Sequence, residues 1–116
     1  MAAAPASPPA DPVVRVARAL GDPTRYALLR AIAAREEMSC QELTALVELA
    51  QGTVSHHLSI LARAGLVAAR VEGPFHYYRA LPEALAAHRR ALARAFGEPP
   101  RGPARPAAAR RRAARR

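Results

Sequence analysis

The stretch from Gln51 to Leu61, Gln-Gly-Thr-Val-Ser-His-His-Leu-Ser-Ile-Leu, constrains this chain more than any other. Successive side chains on an α-helix advance by about 100°. On that wheel Val54, Leu58 and Leu61 fall together and require a core. Gly52, Ser55, His56, Ser59 and Arg63 fall roughly opposite. An ordinary solvated helix carries Glu, Lys and Gln on its outer face. This face is small and polar, with one long side chain. Such a surface fits a DNA major groove, where base edges are read by hydrogen-bond donors and acceptors.

The flanking sequence supplies the rest of a helix-turn-helix with a trailing wing. A first helix is expected over about Val13–Leu20, ending at Gly21. Asp22-Pro23 restarts the chain with an N-cap side chain and a proline at the first helical position. A second helix over about 23–35 stacks Leu28, Leu29 and Ile32 inward. Ser39 and Glu42 have capping-box spacing and open a third helix over about 40–47, with Leu43, Leu46 and Val47 facing the core. The fourth helix, 51–64, stops at Gly65, a left-handed cap. Leu66–Glu72 and Phe75–Leu81 are β-prone runs around Gly73-Pro74. Val67, Ala69 and Val71 alternate with Ala68, Arg70 and Glu72, the pattern of a half-exposed hairpin. Pro82 opens a last helix to about Phe96, with Leu85, Leu92 and Phe96 on one side and Ala84, Ala87, Ala91 and Ala95 nearby. The fold class is mainly α: a winged helix-turn-helix of about five helices plus a two-stranded β-hairpin wing.

Composition sharpens the domain reading. A chain of 116 residues holds one small domain, and a core that size is marginal alone, so a subunit partner is expected. Residues 1–12 are Ala/Pro-rich and read as a disordered N-terminal segment. Residues 13–96 form the DNA-binding and dimerisation domain, and 97–116 read as a disordered Arg/Pro/Ala-rich tail. The formal charge is +9, but residues from Gly97 onward contribute seven Arg and one Glu, or +6, and residues 1–96 only +3. Arg is used throughout in place of Lys. That usage suits bidentate phosphate contacts or reflects a GC-rich coding bias. The single Cys40 excludes an intrachain disulfide and a multi-cysteine zinc site and suits a reducing, cytoplasmic setting. Met1–Pro12 lacks the basic start and apolar run of a signal peptide. No run approaches the ~20 apolar residues of a membrane helix.

Several motifs agree in order and spacing with one family. Ala19-Leu-Gly-Asp-Pro-Thr-Arg25 with Leu28-Leu29, Ser39-Cys-Gln-Glu-Leu43, Thr53-Val-Ser-His-His-Leu58, Leu61, Ala64-Gly-Leu-Val67 and Glu72-Gly-Pro-Phe-His-Tyr-Tyr-Arg79 resemble the ArsR/SmtB family. These are dimeric bacterial winged-helix transcription factors, usually repressors. The resemblance covers about residues 13–96. It implies a homodimer built from the first and last helices, with two recognition helices in adjacent major grooves of a roughly palindromic operator. The sequence departs from the family pattern twice. Ala50 stands where a capping Ser is common, and Pro74 replaces the basic residue common at the wing tip.

Many family members hold soft metals through a Cys-x-Cys pair on the third helix, since thiolates suit such ions. The matching stretch here, Ser39-Cys40-Gln41, has one thiol, and Cys40 reads as a small semi-buried residue. Relatives that bind zinc or nickel do so on the last helix, which here offers only Glu83 and His88, on different faces. His56 and His57 point about 100° apart and cannot share a metal. A site joining His76 and His88 across two subunits is the remaining arrangement. No metal site and no cofactor is expected, and no inducer site is legible.

Ser55 and His56 are the candidates for base-edge contact. Gln51 and Thr53 sit at the helix start, where backbone amides favour phosphate, and Ser59 and Arg63 are placed for the DNA backbone. His57 projects nearer the core and reads as a packed, hydrogen-bonded imidazole. On the hairpin, Arg70, His76 and Arg79 either reach the flanking backbone or line a solvated strand face. One of Tyr77 and Tyr78 packs and the other is exposed. The tail arginines, Arg110 to Arg112 especially, either add sequence-blind attraction to DNA or serve solubility. The expected function is a sequence-specific, homodimeric, DNA-binding regulator whose partner is double-stranded DNA. The alternatives are a winged-helix protein-interaction module with little DNA specificity and a metal-responsive repressor with an unrecognised site. An enzyme is disfavoured, because no acid orients an imidazole on that face.

Overall fold

Local signals place the helices and the hairpin close to where the sequence puts them, and a computed structural model shows how they assemble. It describes residues 11–101; the readings of residues 1–10 and of the tail from 102 onward lie outside the described residues. The order is α1 (Pro12–Leu20), α2 (Pro23–Ala33), β1 (Met38–Ser39), α3 (Cys40–Val47), α4 (Gln51–Arg63), β2 (Val67–Glu72), β3 (Phe75–Ala80) and α5 (Pro82–Phe96).

The caps account for the boundaries. Asp11 and Asp22 each precede a proline, and each carboxylate accepts a backbone N–H of the first turn, from Val13 at 2.8 Å and Thr24 at 3.3 Å. Asp11-Pro12 therefore starts α1 one residue before the expected position. Ser39 and Glu42 close a reciprocal capping box, Glu42 N–H to Ser39 Oγ at 3.0 Å and Ser39 N–H to Glu42 Oε1 at 2.8 Å. The end of α4 is a Schellman motif: Leu66 N–H bonds the Leu61 carbonyl and Gly65 N–H the Ala62 carbonyl, both at 3.0 Å. It requires Gly65 at φ +80. At the end of α3 the left-handed position falls instead on Glu48, φ 57, a conformation costing a non-glycine residue about 1 kcal/mol.

One core joins the elements. Leu28, Ile32, Leu43, Val54, Leu58 and Leu61 are fully buried, with Leu66, Val67, Met38 and Tyr78 closing it from the sheet side. The small sheet has the order β1-β3-β2, all antiparallel. β1, only two residues long, is the element the sequence reading does not contain; Met38 pairs with Tyr78 and Ser39 with Tyr77. This pairing settles the tyrosines. Tyr78 is buried, whereas Tyr77 is half-buried beneath the Arg70 guanidinium, 4.5 Å from its ring.

Two expectations are corrected. Leu46 does not face the core; it is 56% exposed, while Cys40 and Leu43 carry the burial of α3. Val71 shares a sheet face with Val67 but is 62% exposed. The alternation is right, but the hairpin outruns the core: its base packs and its tip, at Gly73-Pro74, projects. Burial also fails along α5, none of whose residues is buried. Leu85, Leu92 and Phe96 stay exposed, Phe96 at 84%.

Candidate nucleic-acid interface

α3 and α4, joined by Glu48-Leu49-Ala50, form the two arms of a helix-turn-helix, and the β2–β3 hairpin stands beside them as the wing. The inner face of α4 is anchored by Val54, Leu58 and Leu61, each with no exposed surface. That anchoring fixes the rotation of the helix about its axis. Gln51, Gly52, Thr53, Ser55, His56, Ser59 and Arg63 are all exposed on its outer side. A helix of this diameter fits a major groove about 12 Å wide.

The start of α4 lacks the usual side-chain cap. Ala50 occupies the N-cap position and makes no side-chain hydrogen bond, which leaves first-turn amides unbonded for an acceptor such as phosphate. Ser59 turns its hydroxyl back to the His56 carbonyl at 2.8 Å, and its Oγ lone pairs remain as acceptors. His56 and His57 diverge as their spacing requires, with ring centroids 6.1 Å apart. His57 lies inward, with 16% of its side chain exposed, and its Nδ1 is 3.2 Å from Arg25 Nη1.

Gln41, Gln51, Ser55, His76 and Tyr78 line a cleft of about 210 Å³ between the helix-turn-helix and the wing, with Cys40 among its walls. Gln41 is a residue the sequence reading missed; its position on the first turn of α3, beside the Ser39 cap, is the signal that could have found it. Burial holds the Tyr78 hydroxyl above its ordinary pKa, and the nearby Cys40 sulfur acts in the same direction. The phenol therefore remains a hydrogen-bond donor at neutral pH.

On the wing, the Arg70 guanidinium donates to Glu37 through Nε at 3.0 Å and Nη2 at 2.8 Å, and to Glu72 through Nη1 at 2.7 Å. These pairs brace the wing, and half of the Arg70 side chain stays exposed. Cys40 is buried, its sulfur 4.0 Å from the Thr44 hydroxyl. Among the described residues no three His, Cys, Asp or Glu side chains are grouped as a metal site. No helix of the described residues is long and apolar enough to cross a membrane.

A polar, groove-sized helix on a buried apolar anchor, with a hairpin beside it, defines a winged helix-turn-helix DNA-binding protein. Residues 20–70 match the family model described as a helix-turn-helix domain. The chain is 37% identical over 68 residues to the uncharacterized HTH-type transcriptional regulator MJ1325 of Methanocaldococcus jannaschii, covering 59% of this chain and 76% of that one. It is 40% identical over 68 residues to the arsenic resistance transcriptional regulator ArsR1 of Pseudomonas putida, covering 59% of this chain and 53% of that one. The chain thus spans just over half the length of the arsenic regulator. The solved structure of an ArsR-like transcriptional regulator from Rhodococcus sp. RHA1 superposes with a TM-score of 0.65 at 29% identity, over 72% of this chain and 77% of that one. The chain belongs to the ArsR family of DNA-binding transcriptional regulators.

Proposed function

We propose that the protein is a homodimeric repressor that reads a roughly palindromic operator with α4, residues 13–96 being the working domain. The observation that carries this reading is the division of α4 into a fully buried seam and an outer face of hydroxyl, amide and imidazole groups. Ser55 and His56 contact base edges. Gln51, Thr53 and Arg63 position the helix on phosphates, Ser59 joins them by swinging its hydroxyl away from the His56 carbonyl, and His76 reaches the backbone from the wing. The Arg70–Glu37–Glu72 cluster stiffens the wing. The apolar side chains left exposed on α1 and α5, Val14, Leu85, Leu92 and Phe96, support a dimer face on those helices, since uncovered apolar side chains in a small domain mark association surfaces. Relatives named for arsenic resistance support a repressor of that general kind. The lone Cys40 does not support the thiolate pair that arsenite binding on α3 would need.

Selection of bound fragments from a random DNA pool by the full-length chain tests the proposal. An enriched inverted repeat, with half-sites about one helical turn apart, is the expected result. Recovery of unrelated sequences would leave a sequence-blind binder.

A further inference from the structure

Arg25, on α2, bridges α1 and α4. Its Nε donates to the Ala19 carbonyl at 2.9 Å and its Nη2 to the Arg18 carbonyl at 3.2 Å. These are among the last carbonyls of α1, where the Arg18 carbonyl also accepts the Gly21 N–H at 3.2 Å, and a cation there meets the negative end of the helix dipole. The third nitrogen, Nη1, lies 3.2 Å from His57 Nδ1 on α4. A guanidinium has no acceptor atom, so in this contact Arg25 donates and Nδ1 accepts, which leaves Nε2 to carry the ring N–H. Asp22 Oδ2 stands 3.8 Å from both Arg25 Nη1 and His57 Nδ1 and balances the guanidinium charge. Arg25 and His57 keep only 17% and 16% of their side chains exposed. His57 directly follows His56 and precedes Leu58, so it sits at the border between the outer face and the anchored seam of α4.

We infer that Arg25 is a positioning residue for DNA reading: its planar fork ties the C-terminus of α1 to the flank of α4 through His57. The setting of the reading helix is thereby coupled to the helix that carries part of the proposed dimer face. This rests on α4 being the DNA-reading helix. Only a rigid fork spans these acceptors together; the point-like ammonium of lysine does not.

The test uses the full-length chain and duplexes it enriches from a random pool. Arg25→Lys keeps the charge and loses the fork, and His57→Phe keeps a ring and loses the acceptor. Each single variant is expected to bind the enriched duplex about tenfold more weakly, with affinity for random DNA unchanged. The double variant is expected to lose little more than either single one, as coupled residues do. Nitrogen NMR of the unaltered protein is expected to show His57 Nδ1 unprotonated at neutral pH, and Arg25→Lys to release mixed tautomers. Multiplying losses, equal losses on random DNA, or a wild-type His57 protonated on Nδ1 would each overturn the coupling. The last measurement needs no variant to fold. His56→Ala separates the two levels. If it relaxes sequence preference while the Arg25 and His57 losses multiply, the coupling alone fails; if it changes nothing, the reading of α4 fails.

Discussion

Arg70 and Glu37 face each other as a two-pronged pair, Nε to Oε2 at 3.0 Å and Nη2 to Oε1 at 2.8 Å, reaching across the whole width of the small sheet. Arg70 lies on β2, Tyr77 pairs with it on β3, Ser39 pairs with Tyr77 on β1, and Glu37 immediately precedes β1. The guanidinium passes over the Tyr77 ring on the way. The wing is thus fastened to the segment that introduces the helix-turn-helix.

This pair has a measurable titration signature. The Arg70 hydrogen bonds hold the Glu37 carboxyl below its ordinary value of 4.5; desolvation opposes them, and the charges of Arg70 and Arg79 add to them. A lowered native pKa means that the contribution is complete above 4.5 and is lost as pH falls through the native value. Carbon NMR titration is expected to find Glu37 below the ordinary range and to find it restored by Arg70→Gln. An unchanged Glu37 titration in the variant would break the assignment.

Base reading is assigned to His56. His56→Ala is expected to cost ~1–3 kcal/mol on the enriched duplex and to leave random DNA almost unaffected. Gel-shift titration on both duplexes measures the difference; equal weakening would remove His56 from base recognition.

The missing cap at Ala50 is open to repair. Ala50→Ser is expected to stabilise the fold by about 1 kcal/mol, as N-cap hydroxyls do, with a shifted midpoint and unchanged slope in urea. No gain would mean that the first-turn amides of α4 already have solvent partners of equal quality.

The exposed side of α5 is expected to hold the dimer. Leu92→Glu places a charge on that face and should convert dimer to monomer in sedimentation velocity, while circular dichroism stays helical. A dimer that survives this substitution moves the interface elsewhere.

Removing residues 97–116 is expected to leave the enriched operator preferred over random DNA. The seven tail arginines should act only on the salt-dependent part of affinity, about 0.9 in log–log slope for each phosphate they neutralise. If truncation abolished the preference, recognition would belong to the tail.

Helices and their ends were legible in the chain alone, because caps act over three or four residues. Asp22-Pro23, Ser39 with Glu42, and Gly65 each satisfy backbone groups within their own turn. The buried seam Val54–Leu58–Leu61 was legible too, since a helix repeats its faces regardless of what packs on them. Long-range packing settled the remainder. β1 is two residues long and exists because Tyr77 and Tyr78 arrive from residues far along the chain. Leu46 and Val71 have core-like spacing, yet they lie beyond the edge of a core this small. Arg70 gains a two-pronged partner because Glu37, distant in sequence, stands within reach of its fork. Periodicity tells which side chains share a face; the presence of another element against that face, or of a carboxylate beside it, is a property of the folded molecule.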